Sequence, residues 1–494
     1  MLNNLKEQRK KILLICDDLR LHSGVATVAR EIVIHTAHHF DWVQLGGAIR
    51  HPDAGKKIDL SEEINKEASI NDSSVILYPI NDYGTPSLLR QMIDTEKPDA
   101  LFLITDPRYF VWIFDMENEI RKKIPICYLN IWDSLPAPLY NQSYYESCDL
   151  LMGISKQTVQ INKMVLDSGK IPWRDLDGPK YDITESQRSN EILIKYIPHG
   201  LNPNIYTPLP DNNKELIEFK KQILGEQETD FVLFFNSRNI RRKQISDSLV
   251  AFKLFLDSLP YEKALKCKFI LHTEIISDHG TNLDAVKEYL FEEKYPDNVV
   301  FSLNKLSNQQ LNYLYNIADA QILITSNEGW GLTLTEAMLA GTPIIANVQG
   351  GMQDQMRFED KNGNWYTPSY EIPSNHTGTY TKHGQWAFPV YPTNLSLQGS
   401  PATPYIFDDR CSFTDVKKRI EELYNMSRKE RKEKGTLGRQ WAISDEAGFT
   451  CFHQAHRVIE SLDTLFEIWK PREEFEIINT NEYKGKTINH SIIY

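Results

Sequence analysis

Residues 326–342, SNEGWGLTLTEAMLAGT, set Glu328 and Glu336 on either side of a Gly-Trp-Gly turn, with seven residues between the two acids. Gly329 and Gly331 let the backbone pass close to a ligand. The helix expected from about Leu332 offers unpaired backbone N–H groups and the positive end of a dipole, which suits a phosphate. Trp330, Leu332 and Thr333 belong to the stretch that would line such a site. Two carboxylates repel a bare phosphate, so they suit hydroxyl groups instead. A phosphate beside hydroxyl-binding acids describes a sugar nucleotide. For two acids at this spacing alone, a solvated strand-turn-helix connection is the plain alternative.

A second cluster lies upstream, in FVLFFNSRNIRRKQ (231–244), where Arg238 and Lys243 follow a strand ending at Asn236. A diphosphate leaving group gathers negative charge as its bond breaks, and fixed cations stabilise that charge. Arginine supplies a planar fork and lysine a point charge. Arg241 and Arg242 read as solvent or interface residues and are given no role at the site, and a solvated basic turn is the alternative for the whole cluster. Near the first strand, CDDLRLHSGVATVAREI places Gly24 ahead of a helix, where backbone N–H groups could face a phosphate or an acceptor. Asp106 and Asp133 stand at two further strand ends. Asp133 is read either as a partner for a sugar or acceptor hydroxyl, or as a cap on the turn before Pro136. Asp106 precedes Pro107 and reads as a turn residue. His199 reads as hinge or cleft lining. Asp17 and Asp18 are adjacent rather than spaced as D-x-D, and no His/Cys set has ligand spacing, so no metal ligand is assigned.

The continuous string E-G-W-G-L-T-x-x-E-A-M-x-x-G-T-P resembles the E-x7-E signature of retaining glycosyltransferases with the GT-B fold, of the family 4 type (glycosyl transferases group 1). The resemblance implies two Rossmann-like, doubly wound domains facing a central cleft, with the last helix crossing back to the first domain. It implies a nucleoside-diphosphate sugar as donor substrate, with no cofactor, and a saccharide, lipid-linked or other hydroxyl as acceptor. In that family the Arg-x4-Lys pair, here Arg238 and Lys243, holds the donor diphosphate. Glu336 would hold the ribose, and Glu328 with the backbone of 329–332 the sugar. Retention would proceed by same-face attack assisted by the leaving diphosphate. This chain departs from the pattern in two places. Ser23-Gly24 stands where many members have two glycines, and Trp132-Asp133 where relatives often carry a histidine, so that histidine's role does not carry over. Two other readings keep the same residues: a sugar-nucleotide epimerase or hydrolase, and a non-catalytic sugar-nucleotide-binding subunit.

These residues must be positioned by a framework of short apolar runs separated by helix-length segments. The runs are 11–16, 42–49, 75–80, 100–105, 126–132, 150–154 and 192–197, then 231–236, 268–272, 298–303, 320–325 and 343–347. Strands alternating with helices imply parallel sheets covered on both faces. Two such sets imply an acceptor-side domain at 1–205 and a nucleotide-sugar domain at 206–455, divided near the Pro- and Asn-rich segment 198–210. Residues 456–494 are assigned to a crossover helix and tail. Residues 362–410 form a long aromatic insertion, read either as a flap over the cleft or as a packing loop. A chain of 494 residues is long enough for two or three domains. No apolar run approaches the roughly 20 residues of a membrane span. A net charge of −12 argues against a nucleic-acid or anionic-membrane partner. Six scattered cysteines without CxxC fit buried thiols in the cytoplasm.

Overall fold

The computed structural model describes residues 9–167 and 188–473, so residues 474–494 of the tail lie outside the described residues. Each apolar run seen in the sequence becomes a strand, because a parallel strand buried on both faces needs apolar residues at successive positions. The first sheet runs, edge to edge, Ile58–Asp59, Val75–Pro79, Phe40–Gly47, Lys10–Asp17, Ala100–Ile104, Ile126–Asn130, Leu150–Gly153 and Leu193–Tyr196. Its pairings are parallel except that of Ile58–Asp59 with its neighbour. The second sheet runs Val299–Phe301, Cys267–His272, Phe231–Asn236, Ala320–Leu323, Ile344–Asn347 and Ala387–Val390, and is parallel throughout.

Each sheet reverses its winding at one place. In the first this is between Lys10–Asp17 and Ala100–Ile104, and in the second between Phe231–Asn236 and Ala320–Leu323. Ligands of open α/β sheets bind beyond the carboxyl ends of strands at such switch points. The loops carrying Gly24, Arg238, Lys243 and Glu328 all start there.

The two sheets meet along these loops. A side-chain carbon on Gly24, at the start of helix Gly24–Thr36, would lie 3.7 Å from Leu332 at the start of helix Leu332–Leu339. One on Gly329 would lie 2.8 Å from the Ile131 carbonyl. Asp354 accepts the Lys156 backbone N–H at 2.8 Å and the Tyr196 hydroxyl at 3.0 Å. The last described helix, Cys451–Ile468, packs on Gly24–Thr36 of the first sheet's layer, with Asp463 against His39 and Phe466 against Phe40.

The insertion 362–410 is irregular only in its first half, up to residue 386. It contains the edge strand Ala387–Val390, and its end forms most of the antiparallel hairpin Pro392–Ser400 and Thr403–Cys411. Pro389 is compatible with that strand because it lies at the sheet edge. The hairpin base joins both halves of the molecule: Phe407 N–H bonds Leu135 O, and Asp409 N–H bonds Ser326 O. All six cysteines are buried and unpaired. Among the described residues, no helix is long and apolar enough to cross a membrane.

Candidate active site

The 3-10 turn Arg241–Lys243 ends at Gln244, which adopts a left-handed φ of 50°. This turn carries Arg242 and Lys243 toward the strand that ends at Leu323. There Glu328 takes a hydrogen bond from Lys243 Nζ and another from Arg242 at 3.0 Å. Arg242 also bonds the Asn327 carbonyl, and its own carbonyl accepts the Ser326 N–H at 2.8 Å. Burial would raise the Glu328 carboxyl, but the two cations outweigh it and hold its pKa at about 2. Burial lowers the Lys243 ammonium to about 8, against the pull of Glu328. The cluster therefore keeps one ionised carboxylate and two cations in a water-poor pocket, where charge interactions are strong.

Arg242, which the sequence reads with Arg241 as a solvent or interface residue without a role at the site, lies on Glu328 in the structure. Arg238 is the reverse case. Its side chain is exposed and makes none of the described contacts with Glu328. Spacing alone does not distinguish cations within a tight turn. The turn conformation decides which of them face inward.

Helix Leu332–Leu339 starts at Gly331, whose φ of 86° favours glycine, and no side chain caps it. The Thr333 hydroxyl in its first turn is buried with no hydrogen-bond partner. One turn further, Glu336 accepts hydrogen bonds from Tyr315, from Tyr206 and from Asn236 at 3.4 Å. Burial nonetheless raises its carboxyl to about 7. Trp330, included among the ligand-lining residues, is 2% exposed; its indole donates to Thr335 and packs against Phe449 and His199. The side chain is part of the core and the Trp330 carbonyl takes Gln355 Nε2 at 2.6 Å, so among the described contacts the backbone N–H is what remains for a ligand.

On the opposite wall, Ser23 caps helix Gly24–Thr36 and donates to Asp17, which also takes the Tyr83 hydroxyl at 2.8 Å. Asp133 accepts from Ser134 Oγ at 2.8 Å. Burial raises its carboxyl, opposed by Arg242 nearby and reinforced by Glu328. The 3-10 helix Leu139–Asn141, beyond the turn at Pro136, starts after Pro138 without a side-chain cap. Asp106 does cap a 3-10 helix, Pro107–Phe110, and binds Arg108. His199 is buried, its Nδ1 has no partner among the described residues, and burial lowers its pKa to about 3, so it is a neutral wall residue.

Gly350 and Gly351 were not assigned from sequence. A side-chain carbon on Gly350 would meet the Glu328 carbonyl at 1.9 Å, and one on Gly351 the Gly329 carbonyl at 2.3 Å. Two adjacent glycines just after the strand Ile344–Asn347 were the available signal. Among the described residues, one three-residue set has metal-ligand geometry: Glu31, His35 and Cys451, with ligand atoms within 4.8 Å of one another. None of the cleft residues above belongs to it.

Residues 217–372 match the family described as Glycosyl transferases group 1. An uncharacterized glycosyltransferase of Methanocaldococcus jannaschii is 26% identical over 192 residues, covering 38% of this chain and 45% of that protein. Alpha-monoglucosyldiacylglycerol synthase of Acholeplasma laidlawii is 27% identical over 176 residues, 36% of this chain and 41% of that protein. The aligned part thus spans less than half of either curated relative. The solved structure of Anabaena HepE in complex with UDP and glucose superposes with a TM-score of 0.59 at 14% identity, covering 92% of this chain and 100% of that one. Residues 217–372 therefore resemble the group 1 glycosyltransferases, and the chain as a whole has the fold of the superposed structure.

Proposed function

We propose that this protein is a retaining glycosyltransferase that moves a hexose-type sugar from a nucleoside-diphosphate sugar to an acceptor hydroxyl. The observation that carries the reading is the convergence of Lys243 and Arg242 on Glu328 beside an uncapped helix start. Lys243, the first-turn N–H groups of Leu332 and Thr333, and the exposed Arg238 receive the diphosphate in this reading. Arg242 orders Glu328, which takes sugar hydroxyls, and Glu336 takes the ribose. Asp133 faces the reacting sugar from the first domain. Cations and a helix dipole neutralise the leaving group in this scheme, so it needs no resident metal. The leaving diphosphate then assists attack on the same face of the sugar.

The structural neighbour that holds UDP and glucose supports a sugar-nucleotide donor. The acceptor, a saccharide, lipid-linked or other hydroxyl compound, enters from the 1–205 side, and 206–455 holds the donor. The cytoplasm is the proposed compartment, on the strength of six unpaired, buried thiols.

The test is a thermal-shift screen of UDP-, GDP- and ADP-sugars, followed by turnover with an acceptor panel. Ligand-linked stabilisation by one nucleotide class, and an anomer of unchanged configuration in the product, are expected. Consumption of the donor at an equal rate without acceptor would identify a hydrolase or epimerase instead.

A further inference from the structure

Beside the Lys243–Glu328 cluster lies a small, partly open polar cavity built from three parts of the chain. Asp133 comes from the first sheet's loops, Asn327 and Gln349 from loops of the second, and His376 and Asp409 from the insertion. Gln349 is 2% exposed, and its Nε2 has no partner among the described residues. Asp409 is 6% exposed; its Oδ2 meets His376 Nδ1 at 3.0 Å, while Oδ1 has no partner. The Asp409 backbone is fixed on both sides: its N–H bonds Ser326 O at 3.2 Å, and its carbonyl takes Asn347 Nδ2 at 2.7 Å. The backbone that carries the unmatched carboxylate oxygen is therefore tied to Ser326, which precedes Asn327 and Glu328 in the chain.

An orphaned donor and an orphaned acceptor in one buried cavity define the valence of what fits between them. A phosphate or carbonyl offers acceptors alone, and an ammonium offers donors alone. A hydroxyl gives its hydrogen to a carboxylate and accepts an amide N–H with its lone pairs. Leaving such groups unmatched in the interior is unfavourable, which favours an occupant. We infer that this cavity is a hydroxyl-recognition subsite for a sugar, with Gln349 and Asp409 gripping one hydroxyl and His376 positioning the Asp409 carboxylate. This rests on the glycosyltransferase reading and deepens it, because the insertion supplies residues that read the substrate. The transferred sugar and a sugar acceptor share this chemistry.

The experiment uses the full chain with Gln349→Met, with the near-isosteric Asp409→Asn, and with both together. Calorimetry measures binding of UDP, GDP, UDP-glucose and GDP-mannose, and steady-state kinetics measure transfer to methyl hexosides and hexose phosphates. Melting curves establish that each variant is folded. Binding of the bare nucleotides stays unchanged. If the hydroxyl belongs to the transferred sugar, each single variant weakens the sugar nucleotide by about tenfold or more. If it belongs to the acceptor, sugar-nucleotide binding is unchanged and acceptor KM rises by a similar factor with little change in kcat. In either case the double variant loses about as much as the worse single, since both groups grip one hydroxyl. Folded variants with every constant within about twofold of the wild type overturn the subsite and leave a cavity that holds water alone. Wild-type protein that binds no sugar nucleotide refutes the glycosyltransferase reading along with it, whereas normal wild-type binding with unaffected variants refutes the subsite alone.

Discussion

Replacing Lys243 by methionine separates the two roles that the geometry gives this lysine. The side chain is 8% exposed, and methionine fills the same space without the charge. In the free protein, Glu328 loses one of its two cations and keeps Arg242. Breaking a buried pair costs roughly 3–5 kcal/mol, and the surviving arginine puts this case at the low end, about 3 kcal/mol. Adding Glu328→Gln removes the stranded carboxylate and restores most of that loss. Diphosphate affinity follows a different course. A charge-assisted hydrogen bond is worth about 1.5–3 kcal/mol, so Lys243→Met weakens nucleoside diphosphate binding by roughly 10- to 150-fold. The double variant regains stability but not affinity. Urea melts and calorimetry with UDP, GDP and ADP read the two quantities independently. Recovery of diphosphate affinity in the double variant would show that Lys243 serves Glu328 alone, and would refute its role as the diphosphate cation. The same lysine sets a pH limit: with its pKa lowered to about 8 by burial, the cation is lost as pH rises through 8, and kcat/KM falls above that pH.

Three further expectations follow from the site. Arg238→Ala leaves the melting temperature unchanged, because the exposed side chain makes none of the described contacts, yet slows transfer by roughly a hundredfold; unaltered turnover would return Arg238 to the solvated turn. Glu336 carries a carboxyl raised to about 7, so its charged form is populated above pH 7 and lost below it. Donor affinity therefore weakens by up to about tenfold per pH unit below 7, and Glu336→Gln abolishes that dependence; a flat wild-type profile from pH 5.5 to 8 removes Glu336 from ribose binding. Gly331→Ala forces a left-handed φ of 86° on an L-residue at the helix start and destabilises the protein by about 1–2 kcal/mol in a denaturant melt; an unchanged midpoint would contradict the helix start as described.

The strands were legible because burial on both faces leaves an unbroken apolar run, as in Phe231–Asn236 and Ala320–Leu323, each fully or nearly fully buried. The hairpin strand Pro392–Ser400 was not, because nearly every residue of PTNLSLQGS is exposed and its leucines do not mark an inward face. Ala387–Val390 is four residues long with a proline inside, a pattern that reads as loop until its edge position is known. The Glu328 and Glu336 stretch was readable because glycines, acids and a helix start lie close in sequence. The partners that tune it were not. Tyr206 and Tyr315 reach Glu336 from other parts of the chain, and it is Arg242, within the 3-10 turn Arg241–Lys243, rather than Arg238 that meets Glu328. Trp330 shows the opposite limit: adjacency to a ligand loop does not tell whether an indole points to the ligand or into the core.

The central claim is that a diphosphate lies between Lys243 and the start of helix Leu332–Leu339. A crystal structure with a bound nucleoside diphosphate tests it most directly. Phosphate oxygens are expected within hydrogen-bond distance of Lys243 Nζ and of the backbone N–H groups of Leu332 and Thr333. A diphosphate bound elsewhere, with Lys243 still engaged solely by Glu328, would contradict it.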